Sequence, residues 1–217
     1  MDDIRAQFVL FDGFDPLDVV APLEVLTAAN ERLGRLDVAL VTAEGPRQVA
    51  SGTPGVSLTA TAALDPTAAY VVVPGASGPA APEPGADTIP DLLARFASGA
   101  AAPLLRRVVD DPAVTVATVC GGSLALAMAG LLAGRRATTN AMGLAMLEAA
   151  GARVVRARVV DDGDLVTAGG VTSGLDLALH LLDRDFGPQA ALAVEELFEY
   201  ERRGTAWRRP DGKRAGR

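Results

Sequence analysis

Residues 114–132 read VTVATVCGGSLALAMAGLL. Valines alternating with threonine and alanine favour a buried strand, and the Leu, Ala and Met run beyond Ser123 favours a helix. Only Cys120, Gly121 and Gly122 separate the two, so strand passes to helix through one sharp turn with Cys120 at its corner. Such a corner lifts the side chain above the carboxyl end of a sheet, at the foot of a helix. Backbone N–H groups and the helix dipole there favour a negative sulfur. The expectation is an accessible thiol titrating below the ordinary value of about 8.5. Two glycines allow neighbouring backbone to come close. Hydrolase elbows present their serine through the same turn. Against this stands the habit of cysteine to serve as a small buried hydrophobe.

Working outward, short apolar runs at 6–11, 36–41, 70–73, 154–160 and 164–167 read as strands. Helical spacing marks 17–33, 89–98, 104–110, 142–150, 172–184 and 188–201. Residues 46–61, with Gly52, Pro54 and Gly55, suit a small hairpin or irregular excursion. The Gly- and Pro-rich stretch 75–87 reads as a long loop, of the kind that lines a site. Strands alternating with helices predict an α/β sandwich, a mostly parallel sheet with helices on both faces. Ligands of such sheets sit beyond the carboxyl ends of the strands, which selects the turns at 13–18, 74–78 and 120–123. The reading is one domain over 1–201 followed by a basic tail, 202–217.

Composition removes several classes. The chain of 217 residues is 49% hydrophobic and 22% charged, enough apolar surface for a packed core. One cysteine and one histidine can build neither a disulfide framework nor a Cys/His zinc site. A net charge of −7 opposes general nucleic-acid binding. No apolar run reaches a membrane span, and MDDIRAQ has no signal-peptide pattern, so a cytoplasmic location without membrane contact is expected. No phosphate loop or dinucleotide fingerprint occurs, and no cofactor or metal is expected. Seven of the twenty basic residues fall within 202–217, which reads as a solvated, frayed tail. His180, inside LALHLL, reads as a satisfied core or interface histidine.

Four segments together carry a resemblance: LDVVAPLEVL at 17–26, VVVPGA at 71–76, VCGGSLALAMAGLLAGRRATTN at 119–140 and VTAGGVTSGLDLALHLL at 166–182. The chain resembles the ThiJ/PfpI superfamily, most closely its branch of isonitrile hydratases and AraC-regulator-associated domains. The resemblance implies a flavodoxin-like three-layer sandwich, generally a homodimer, with a cysteine at a strained elbow and an acid facing it. Cys120 matches that cysteine and Asp18 its acidic partner. Gly75 matches the turn glycine whose N–H points at the substrate, and Gly121 and Asn140 fall beside the same small-molecule site. A carboxyl beside a thiolate should be pushed up and titrate with it as a pair. Asp15 is better placed than Asp18 to cap the first helix.

Two positions depart from the family. Gly121 stands where isonitrile hydratases resemble one another in having Thr. Asn140 stands near the histidine of proteolytic and several glyoxalase-like members, and an amide cannot relay protons; a helix N-cap is its other reading. The function implied is cofactor-independent cysteine chemistry, hydrating a small isonitrile to an N-substituted formamide. The alternatives are a stand-alone ligand- or redox-sensing protein and a glyoxalase or deglycase activity.

Overall fold

A computed structural model of the chain describes residues 4–79 and 87–210. In chain order the elements are β1 (Ile4–Val9), α1 (Pro16–Leu33), β2 (Leu36–Thr42), β3 (Arg47–Ala50), β4 (Ser57–Ala60), β5 (Ala62–Ala63) and β6 (Tyr70–Val73). After these come α2 (Ile89–Ser98), α3 (Ala102–Asp110), β7 (Thr115–Val119), α4 (Gly122–Met128), β8 (Arg136–Ala137) and a 3-10 turn at Ala141–Gly143. The chain continues through α5 (Leu144–Ala149), β9 (Arg153–Val154), β10 (Val159–Asp161), β11 (Leu165–Ala168), α6 (Ser173–Phe186), α7 (Pro188–Phe198) and β12 (Trp207–Arg208).

Eight strands form one sheet in the order β12-β10-β11-β7-β6-β1-β2-β5, parallel throughout except for the β10–β11 hairpin. The valine-rich runs of the sequence are its centre: Val71, Val72, Val73, Val116, Ala117 and Val119 are all buried. Strands covered on both faces need no polar alternation. Helices α1, α6 and α7 pack together, and α2 contacts both α3 and α4. These are the two helical layers expected. Residues 47–60 do form a hairpin, β3–β4, outside the main sheet.

Connections leave β1 toward β2 on one side, while β6 and β7 continue the sheet on the other. The sheet therefore changes direction between β1 and β6, and ligands bind at such a switch. Two features differ from the sequence reading. The strand expected over 154–160 is broken into β9 and β10, with β9 paired to β8 in a separate ribbon. The basic segment from Arg202 is not simply solvated. Trp207–Arg208 adds a strand beside β10, Arg209 N–H donates to Asp161 O at 3.0 Å, and the Arg136 guanidinium lies 5.6 Å from the Trp207 ring centroid. Arg202 meets Glu195 at 2.9 Å. Carboxylates brought together by folding receive these arginines, a pairing that charge counting along a sequence cannot see. Residues 211–217 of the expected tail, and 80–86 of the expected loop, lie outside the described residues.

Candidate active site

Four turns at the carboxyl end of the sheet meet around Cys120: those after β1, β6, β7 and β11. Cys120 follows β7 directly, and its N–H is shared between Ala168 O (3.1 Å) and Gly169 O (2.9 Å) beyond β11. The turn is sharp enough to force Cys120 to φ +53°, a left-handed conformation costing a side chain about 1–2 kcal/mol. Such strain persists only where its surroundings impose it. Here a Cβ on Gly122 would stand 2.1 Å from Val73 O, so only glycine lets the elbow press on the end of β6. Gly75 is equally tight; its Cβ would meet Gly121 N at 2.6 Å and Asp18 Oδ2 at 2.9 Å. Gly75 thus sits wedged between the elbow and the carboxyl group.

Asp18 arrives from the other side, in the first turn of α1. Asp15 is the N-cap, accepting from Leu17 N–H at 3.0 Å, and its own N–H donates to Gly75 O at 2.9 Å. That leaves Asp18 free of capping duty, as the sequence suggested. It is fully buried. Oδ2 accepts the Gly75 N–H at 2.9 Å, while Oδ1 is buried without a hydrogen-bond partner among the described residues. A buried carboxylate with one unfilled oxygen is costly, and holding a proton relieves that cost. Pro22, one turn on, cannot donate to the Asp18 carbonyl and packs against Gly174 of α6 instead.

The electrostatics follow from this burial. Desolvation, aided by nearby Asp15, pushes Asp18 up to about 8 against the Gly75 hydrogen bond, so the carboxyl holds its proton at neutral pH. Cys120 is pushed up to about 11 by its own burial and then by the Asp18 carboxylate. Hydrogen bonds from the Val171 N–H, the Asn140 amide and the Gly121 N–H pull the other way and lose. The expected accessible, low-pKa thiol is therefore corrected: Cys120 is only 9% exposed, and its desolvation outweighs the donors around it. The helix at its foot is also short, at seven residues.

The Gly75 N–H, expected from the resemblance to face the substrate, donates to Asp18 Oδ2 at 2.9 Å. A Cβ on Gly121 would stand 3.1 Å from Leu93 Cδ1, so the Leu93 side chain closes against the position where a Thr side chain would begin. Asn140 is an N-cap as read, its Oδ1 accepting the Gly143 N–H of the 3-10 turn at 2.9 Å, and its Nδ2 lies 3.5 Å from Cys120 Sγ. His180 is buried on Asp161 at 2.9 Å, a core histidine as read. Sequence reasoning missed Val171 and Thr139. Both neighbour residues that were read, in GGV and TTN, but neither N–H nor hydroxyl placement is legible along a chain.

Two cavities, of about 550 Å³ between α6 and residues 202–208 and about 160 Å³ beside Phe11 and Leu92, include neither Cys120 nor Asp18. Among the described residues no group of three His, Cys, Asp or Glu is arranged to hold a metal ion, and no helix is long and apolar enough to cross a membrane.

Known proteins fit this architecture. Isonitrile hydratase from Pseudomonas putida is 47% identical over 85 residues, covering 39% of this chain and 37% of that enzyme. The HTH-type transcriptional regulator CdhR from Pseudomonas aeruginosa is 32% identical over 199 residues, covering 88% of this chain and 53% of the regulator. The chain thus spans about half or less of the length of these relatives. A ThiJ/PfpI family protein from Pseudomonas syringae superposes with a TM-score of 0.74 at 26% identity, over 94% of this chain and 78% of that one. The model of the DJ-1/PfpI family matches residues 4–184, the span that holds the sheet, the strained cysteine and its buried acid, and the chain belongs to that family.

Proposed function

We propose that this protein is a cofactor-independent hydratase that converts a small isonitrile into an N-substituted formamide at Cys120, with Asp18 as the proton carrier. The observation that carries the reading is Asp18 itself: fully buried, with one oxygen unpartnered among the described residues and its carboxyl pushed up to about 8 beside the single thiol. An isonitrile carbon takes a nucleophile and a proton together, and a thiol supplies the nucleophile. Sulfur bonds to the terminal carbon, Asp18 gives that carbon a proton, and the thiol proton replaces the one given, leaving a thioimidate. Water then adds to the C=N bond. One water proton ends on nitrogen, the other returns to sulfur as the C–S bond breaks, and the formamide leaves. A neutral thiol suits this addition, since its proton is consumed in the step. The identity to an isonitrile hydratase supports the substrate. Intact-protein mass spectrometry tests it: an isonitrile-sized adduct on the wild-type protein, absent from Cys120→Ala, supports a thioimidate, and no adduct or turnover opposes it.

A second reading, a ligand-sensing domain, is favoured by one observation: the match to a transcriptional regulator covers 88% of this chain, against 39% for the hydratase. Saturable binding without turnover would select it. As an assembly we propose a homodimer acting in the cytoplasm. Leu17 and Val20 on α1 and Leu192 and Leu197 on α7 are exposed apolar side chains on two adjacent helices, the kind of surface a second copy covers.

A further inference from the structure

The strained elbow is gripped on its far side by two consecutive residues, Thr139 and Asn140. Thr139 Oγ1 donates to the Cys120 carbonyl oxygen at 2.6 Å. Ser123 Oγ lies 3.3 Å from the same oxygen but donates at 2.6 Å to Thr138 O, so Thr139 holds the principal bond. Asn140 is oriented by its neighbour: the Gly143 N–H occupies Oδ1, which turns Nδ2 toward Sγ.

We propose that Asn140 is a catalytic donor to the Cys120 sulfur and that Thr139 is the positioning residue that keeps the strained peptide aimed at it. The proposal rests on Cys120 being the nucleophile. Its chemistry follows from the groups that face the sulfur. The titratable one is Asp18, from α1, and it opposes a thiolate. Among the described residues, the turns after β7 and β11 bring N–H donors, from Gly121 and Val171, and the segment after β8 brings the Asn140 amide. An amide cannot accept the thiol proton, so it stabilises negative sulfur as a bond forms or breaks without diverting the proton from the Asp18 route. A histidine here would offer a second proton path. The Thr139 hydroxyl acts one step back. Without it the Cys120 carbonyl loses its short bond, and the peptide is free to relax from φ +53° toward the ordinary region, carrying sulfur away from Nδ2.

The rate of Cys120 alkylation by iodoacetamide against pH, in the full chain and without substrate, reads this directly. Asn140→Asp places a carboxylate at the sulfur and should raise the apparent thiol pKa by about one unit or more, a tenfold loss of rate at any pH below it. Asn140→Leu should raise it by less. Thr139→Val should also change the profile, and Thr139→Ser should restore it, since serine keeps the hydroxyl. Thermal melts report folding; if Thr139→Val does not fold, Thr139→Ala against Thr139→Ser makes the same comparison. An unchanged profile in Asn140→Asp overturns the donor role, and equal behaviour of Thr139→Val and Thr139→Ser overturns the positioning role. Because no substrate enters this measurement, a protein that shows these shifts but hydrates no isonitrile would refute only the substrate.

Discussion

At the scale of single residues, Asp18 sets the behaviour of the site. Its folded pKa, about 8, lies above the usual carboxylate value near 4, so between those limits the unfolded chain loses a proton that the fold keeps. Wild-type stability should therefore fall as pH rises from about 4 to about 8, by at most about 1.4 kcal/mol per unit from this group. Asp18→Asn removes that slope, and urea midpoints across the range would show the mutant gaining on the wild type as pH rises. The same substitution should lower the apparent thiol pKa, by removing the carboxylate that repels the thiolate, and should abolish turnover. Asp15→Asn keeps the helix cap and should do neither. Asp161 has the opposite sign. Burial would raise it, but the His180 hydrogen bond and Arg184 hold it at about 2. Its contribution is present above about pH 4 and lost as pH falls toward 2, so the stability gap between wild type and Asp161→Asn should close over that window. Cys120 was legible from its strand-to-helix turn, whereas Asp18 as its acid came from the family resemblance, with Asp15 the better-placed cap. The thiol's raised pKa was not, since it depends on depth of burial.

At the scale of elements, the strand–cysteine–helix turn is the part that the sequence states most clearly, because valine-rich and alanine/leucine-rich runs abut with two glycines between them. What it could not state is which backbone presses on those glycines. Gly122→Ala sets a methyl carbon against Val73 O, and should destabilise by about 1–3 kcal/mol or more while slowing Cys120 alkylation; denaturant melts and the alkylation rate check both. The β12 strap was read as free chain, since its partners Asp161, Asp162 and Glu195 lie far away in sequence or on other elements. Its docking has a reporter in Trp207, the single tryptophan. Arg136→Ala removes the guanidinium over that ring and should shift the Trp207 emission to the red; an unchanged spectrum would mean that the contact does not shield it.

For the whole molecule, layer architecture was readable, because alternating strand and helix runs admit few right-handed parallel topologies, and those topologies select the strand carboxyl ends where the candidate site lies. The exception was the small β8–β9 ribbon, two residues on each side, too short to leave a period in the sequence. The order β2-β1-β6-β7-β11 brings Asp18, Gly75, Cys120 and Val171 together from segments spread across more than 150 residues. The most direct measurement is a product screen: purified protein incubated with a panel of isonitriles and α-ketoaldehydes, with products identified by mass spectrometry, alongside Cys120→Ala and Asp18→Asn. The expected result is N-substituted formamide from at least one isonitrile with the wild type and none with either variant. Turnover of methylglyoxal with no isonitrile consumed would contradict it.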